Sequence, residues 1–293
     1  MEFKLEKRDT IGIISPSSQI EDVREFDEIK TFIEEQGYNA KIYDGCYFKE
    51  QTDEHKVLEL QQAFEDPEVK AIICARGGYG SIRILDDIIY QVLIKNKKIF
   101  AGCSDITALL LQINKICDFK TYHSPMLSGD GKFNKKTFAD FIKTVNGKKT
   151  EIKADKNAKV LKEGEAQGVL WGGNLSTIVS MFGSYSSTYT PSEGIILFLE
   201  DLNEPVYKID KMLTQIYRNE RLKRRIKGVV FGDFLNVDNK EKLEKTLTDF
   251  VTKLDVPCVC GYPITHLKTN TTVPIGQLAH FNTKDKTIHF VKD

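Results

Sequence analysis

A serine, an imidazole and a carboxylate suffice for nucleophilic acyl transfer. A hydroxyl attacks poorly until a base takes its proton, and the base needs an anion to orient it. The stretch "GCSDITALLLQI", starting at Gly102 directly after the apolar run "KKIFA", offers a place for the serine. The hydrophobic period changes there from a continuous run to helical spacing, which sets Ser104 on a strand-to-helix corner. The nucleophile-elbow pattern has glycine two residues to each side of its serine; Gly102 supplies the first and Ile106 stands at the second. Two local alternatives stay open: Ser104 or Asp105 as a helix cap, and Cys103 as a rival nucleophile, more reactive as a thiolate. Neighbours in sequence cannot share one direction, so only one of Cys103 and Ser104 can face a site.

The base must come from five histidines, His55, His123, His266, His280 and His289. His55 falls in a charged helix and His289 alternates in the last strand, so both read as solvated or structural. His123 ends a strand near the Ser104 corner. His266 lies in the loop "GYPITHLKTNTTVPIG", the kind of segment where functional side chains collect. Sequence physics does not choose between these two. For the carboxylate, "LFLED" ends a strand in Glu200 and Asp201, which alternation puts on opposite faces; Glu204 follows as a further candidate. The stretch "RGGYGS", Arg76 to Ser81, follows a strand and opens a helix. It matches neither the dinucleotide fingerprint nor the phosphate-loop ending. It reads either as a tight turn or as a loop holding a backbone donor close to a reacting carbonyl oxygen.

These residues need a scaffold. The first half alternates strand-like runs ("TIGIIS", "AKIYD", "VKAIICA", "KKIFAG", "FKTYHS") with helical spacing near 20–36, 55–64, 81–94, 104–115 and 136–144. Such alternation predicts an α/β domain over 1–147 with a doubly wound, mostly parallel sheet covered on both faces. Ser104 then lies beyond the carboxyl end of a strand, where such sheets bind ligands. The lysine-rich segment 148–165 reads as the domain connection, with room for one exposed strand. A mixed α/β domain follows over 166–293, with helices near 209–218 and 240–254 and several short closing strands.

Composition narrows the partners. The 293 residues balance 42 basic against 42 acidic side chains with no long blocks of either sign, so no basic patch points to nucleic acid or a membrane surface. No segment approaches the roughly 18 apolar residues of a membrane span. The charged start "MEFKLEKRDT" lacks a secretory pattern, so the protein reads as cytoplasmic. Its six cysteines are then expected to be reduced thiols. Cys258 and Cys260 share one strand face, but a metal clip would require a second Cys/His pair of ligand spacing, and none is present.

Taken in order, "SPSS", "ARGGYGSIRILDDI", "GCSDITALL", "HSPM", "WGGNL", "ILFLEDLNE" and "GYPITHLKTNTTVPIG" resemble the LD-carboxypeptidase family, which includes the microcin C self-immunity peptidases. The resemblance runs over nearly the whole chain. It implies a Ser–Glu–His triad on Ser104, Glu200 and His266, with the serine from the N-terminal domain and the other two from the C-terminal domain. It also implies oxyanion donors at the backbone N–H groups of Gly78 and Asp105, and no metal or organic cofactor. Cys103 and His123 are thereby demoted. One departure stands out: the family commonly has glycine directly before the histidine, where this chain has Thr265. The implied reaction is hydrolysis of the amide between an L-configured centre and a terminal D-amino acid, typically D-alanine of murein tetrapeptide in cell-wall recycling. Alternatives are a serine peptidase acting on a peptidyl- or aminoacyl-nucleotide, and a non-catalytic binding protein that keeps the cleft. A peptide or muropeptide is thus the expected partner, and a homodimer the assembly entertained.

Overall fold

The computed structural model describes residues 3–183 and 194–292. The chain forms two compact units: residues up to Lys148 joined by Thr272–Pro274, and Lys149–Thr271 joined by the residues from Ile275 onward.

In the first unit, strands β1 (Thr10–Ile14), β2 (Asn39–Ile42), β3 (Val69–Cys74), β4 (Ile99–Gly102) and β5 (Thr121–His123) pair in the order β2-β1-β3-β4-β5, all parallel. The late return of the chain adds β12 (Val273–Ile275) beside β5. Runs such as "TIGII" and "VKAIIC" are almost wholly buried, as strands covered on both faces must be. Strand alternation divides their residues between the faces. Ile11, Ile13, Ala71, Ile73, Ile99 and Ala101 pack with Phe26, Ile29 and Ile33 of helix Glu25–Glu35 and with Phe138 and Phe141 of helix Lys135–Val145. On the second helix Phe138 and Phe141 stand three apart, and Asn134 caps it through the N–H groups of Lys136 and Thr137. Each such side chain contributes about 1.5–3 kcal/mol on burial. Phe64, from helix Asp53–Glu65, meets Phe100 at 5.8 Å between ring centres.

In the second unit, β6 (Glu151–Lys153), β7 (Lys159–Lys162), β8 (Glu165–Asn174), β9 (Ile195–Leu202), β10 (Ile226–Leu235), β11 (Cys258–Cys260), β13 (Leu278–Asn282) and β14 (Thr287–Phe290) form one sheet. Its order is β6-β14-β13-β8-β9-β10-β11-β7. The central strands β8 to β11 run parallel, and antiparallel strands close both sides, so the sheet is mixed. Helices Val206–Arg218 and Lys240–Leu254 pack on each other, and the second also lies against β7. Gly172 in β8 has φ +154, and a Cβ there would stand 1.9 Å from the Phe198 carbonyl oxygen of β9. Only glycine fits that approach.

Two expectations need correction. The connection 148–165 carries two strands rather than one: its lysine-rich residues build β6 and β7, the two edge strands of the second sheet. Edges tolerate charge because one side meets water, and lysines blunt unwanted pairing. The helical spacing over 81–94 is also broken. A single turn, Ser81–Ile84, is separated from helix Tyr90–Lys95 by residues 85–89; the last of these, Ile89, has a non-helical ψ of 83° and donates its N–H to Gln61 Oε1 at 2.7 Å.

Candidate active site

Strand β4 delivers the chain to Ser104 through Gly102. A Cβ on Gly102 would stand 2.7 Å from Ile106 Cγ2, so the residue in the elbow's second glycine position roofs the first glycine. Ser104 itself has φ +58, the left-handed region that a non-glycine residue enters at a cost and that marks a sharp strand-to-helix elbow. One 3₁₀ turn, Ser104–Ile106, precedes helix Thr107–Cys117, and no side chain caps either start. Capping is therefore not the role of Ser104 or Asp105. Ser104 is partly exposed, whereas Cys103 has extended backbone and is 4% exposed.

The glycine loop lies against this elbow. A Cβ on Gly77 would be 2.9 Å from Ser104 Cβ and 3.1 Å from its Oγ. Gly78 has φ +115, and a side chain there would collide with Ser18 Oγ at 2.2 Å. The loop after β1 fixes both neighbours. Ser18 Oγ accepts from the Tyr79 N–H at 3.0 Å, and the Ser18 N–H donates to the Gly77 carbonyl at 3.2 Å. Ser17 Oγ donates to Asp105 Oδ2 at 2.6 Å, and the same oxygen accepts from the Ser81 N–H at 2.9 Å. Ser81 Oγ also donates to the Asp105 carbonyl. The Asp105 carboxylate is thus a tie among three loops. Among the described residues, the backbone N–H groups of Gly78 and Asp105 donate to no other group. Sequence reasoning attached no role to Ser17, Ser18 and Ser81; the short "SPSS" directly after a buried strand was the available signal.

In the second unit, Glu200 lies near the end of β9, level with Asn174 of β8, and is fully buried. Its Oε2 stands 2.8 Å from His266 Nδ1, with the imidazole 16% exposed. Burial works to lower the His266 pKa, but the adjoining Glu200 carboxylate and the charge of Asp201 outweigh it, so the net direction is upward. His266 is carried by a turn in which Asn270 Oδ1 accepts from the Thr265 N–H at 3.1 Å and Thr265 Oγ1 accepts from the Leu267 N–H at 3.2 Å. Thr265 therefore ties the turn that carries the histidine. Asn270 was not singled out in the sequence, although a turn-rich loop is where such a residue works.

Asp201 faces other partners: Asn174 Nδ2 at 3.0 Å, and the N–H groups of Ser176 and Leu202, each at 2.9 Å. Burial and then the neighbouring Glu200 charge push its pKa up to about 6. Glu204 lies past the strand and pairs with Lys208 at 3.3 Å. His123 is fully buried at the end of β5, level with Gly102 of β4. His289, half-buried on β14 between β6 and β13, reaches Asp285 at 3.2 Å. The six cysteines are free thiols, and among the described residues no group of three or more His, Cys, Asp or Glu side chains is placed to hold a metal ion.

Two descriptions of one family cover the chain: the LD-carboxypeptidase N-terminal domain over residues 11–124 and the LD-carboxypeptidase C-terminal domain over 167–281. A probable murein peptide carboxypeptidase of Bacillus subtilis is 35% identical across 97% of this chain and 92% of its own length. The chain belongs to the LD-carboxypeptidase family. As an LD-carboxypeptidase family member it is a serine-type carboxypeptidase. The murein tetrapeptide carboxypeptidase of Pseudomonas aeruginosa is 26% identical across 78% of this chain and 77% of its own. Among solved structures, a muramoyltetrapeptide carboxypeptidase from Oxalobacter formigenes superposes with a TM-score of 0.83 at 28% identity, covering 96% of this chain and 97% of that one. MccF in complex with glutamyl sulfamoyl guanosine reaches 0.89 at 20% identity, covering 99% and 98%, a likeness of fold alone.

Proposed function

We propose that this LD-carboxypeptidase family member removes the terminal D-alanine of a murein tetrapeptide, a cytoplasmic step of peptidoglycan recycling, with Ser104, His266 and Glu200 as its triad. The observation that carries the reading is the buried contact of 2.8 Å between Glu200 Oε2 and His266 Nδ1. A carboxylate there holds the proton on Nδ1 and leaves Nε2 as the base. The left-handed elbow at Ser104 supports the nucleophile role, because it lifts the hydroxyl off the helix start. Substrate class follows the relatives named as murein peptide and murein tetrapeptide carboxypeptidases.

In this mechanism Ser104 Oγ attacks the scissile carbonyl carbon while His266 Nε2 takes its proton. The Gly78 and Asp105 N–H groups donate to the oxyanion that develops. His266 then returns the proton to the leaving amine, D-alanine departs, and water activated by the same imidazole releases the acyl group from Ser104. Glu200 stabilises the imidazolium throughout and keeps its own charge.

Incubation of the purified protein with murein tetrapeptide is expected to release free D-alanine, read by mass spectrometry. An aminoacyl sulfamoyl adenylate supplied in parallel is expected to survive. Cleavage of the adenylate with the tetrapeptide left intact would replace this reading by the nucleotide-directed one.

A further inference from the structure

In an open α/β sheet, ligands settle where the strand order reverses, outside the carboxyl ends of the strands. In the first unit that point lies between β1 and β3, so the loops after these two strands form its walls. Two of their side chains have no part in the acyl-transfer steps. Arg76 donates from Nη1 to the Gln19 carbonyl at 3.1 Å. Its carboxylate neighbour, Glu21, stands 3.8 Å away and is 91% exposed, a loose pair that solvent screens. Arg76 makes no other hydrogen bond to the described residues, which leaves most of its five donors uncommitted. Arg83, by contrast, spends Nε and Nη2 on Asp53 at 2.8 and 2.6 Å. Gln19 is the second side chain. Both polar atoms of its amide are shielded from solvent and lack a hydrogen-bond partner among the described residues. A buried unpaired amide is costly and rare, and a missing ligand is one of its ordinary causes.

Position ties the pair to the chemistry. Arg76 directly precedes Gly77, whose Cβ position is 2.9 Å from Ser104 Cβ. Gln19 directly follows Ser18, whose hydroxyl holds the Tyr79 N–H. We propose that Arg76, aided by the Gln19 amide, binds the free terminal carboxylate of the peptide substrate and so makes the enzyme an exopeptidase. The inference rests on the Ser104 reading above. With Ser104 at the scissile carbonyl, the leaving residue carries its carboxylate just beyond that bond, so the counter-charge must stand beside the glycine loop. A guanidinium meets a carboxylate with two parallel hydrogen bonds, which a lysine cannot do. A peptide that continues past the scissile bond, or ends in an amide, leaves these donors unpaired and is rejected.

The test is calorimetric titration of Ser104→Ala protein with murein tetrapeptide ending in free D-alanine, and with the same peptide ending in D-alaninamide. The acid is expected to bind on the order of 10–100-fold more tightly than the amide. Arg76→Met in the same background should abolish that preference, and Arg76→Lys should keep only part of it; thermal melts establish that each variant is folded. Equal affinity of the Ser104→Ala protein for acid and amide overturns the subsite alone, as does an Arg76→Met variant that weakens both ligands equally. Full preference in Arg76→Lys overturns the bidentate role and stands as the deciding result should Arg76→Met fail to fold. No binding of either peptide overturns the subsite together with the tetrapeptide reading.

Discussion

At the scale of single residues, the elbow presents Ser104 and turns Cys103 inward, so their substitutions should separate cleanly. Ser104→Ala is expected to lower kcat by on the order of 10⁴ or more with the fold intact, whereas Cys103→Ala should retain most turnover. Reversed kinetics would reassign the nucleophile. Glu200→Gln should cost far more in kcat than Glu204→Gln, because Glu204 already pairs with Lys208 outside the strand. His266 must be neutral to accept a proton, and its pKa is raised above the ordinary 6.5. The acid limb of kcat/KM should therefore lie above pH 6.5 in the wild type and move down in Glu200→Gln, where burial is opposed only by the Asp201 charge. An acid limb indifferent to that substitution would remove Glu200 from the assignment. The same raised pKa has a stability consequence of defined sign. The His266–Glu200 contribution is fully present below the unfolded-state pKa and is lost as pH rises through the higher folded-state value.

Secondary-structure elements set how far those residues can be displaced. Gly172→Ala would push a methyl group into the Phe198 carbonyl at 1.9 Å and force a positive φ on a substituted residue. A loss of about 3 kcal/mol or more is expected, read as a lower urea midpoint; a change under about 0.5 kcal/mol would show that β8 shifts freely against β9. The buried parallel strands were legible in the sequence because both faces demand apolar residues, and the helices at 135–145 and 240–254 because their periodicity is long and uninterrupted. β6 and β7 were not, since an edge strand rich in lysine carries no burial signal. The break before Tyr90 escaped because a glutamine side chain, distant in sequence, takes the Ile89 N–H just ahead of the helix. The choice of His266 over His123 lay equally beyond local pattern. It depends on a glutamate 66 positions earlier in the chain, at residue 200, coming within 2.8 Å of the imidazole. Only the family resemblance pointed to it.

For the whole molecule, the triad residues and the units do not divide the chain at one point. Ser104 belongs to the first unit, Glu200 and His266 to the second, and Thr272–Pro274 returns to the first. A fragment ending at Lys148 lacks β12 and the proposed base His266, so it is expected to be aggregation-prone and to release no D-alanine. A fragment with wild-type turnover would contradict the triad outright. The late return of β12 also imposes a schedule on biosynthesis. About 150 residues separate β5 from the strand that flanks it, and at roughly 5–20 residues per second a ribosome needs on the order of ten seconds or more to supply them. During that interval the sheet bearing Ser104 has left the exit tunnel with its last strand still unmade. The border of β5 is then open to whatever the nascent chain meets, and a holdase or a neighbouring polysome has longest access at that border.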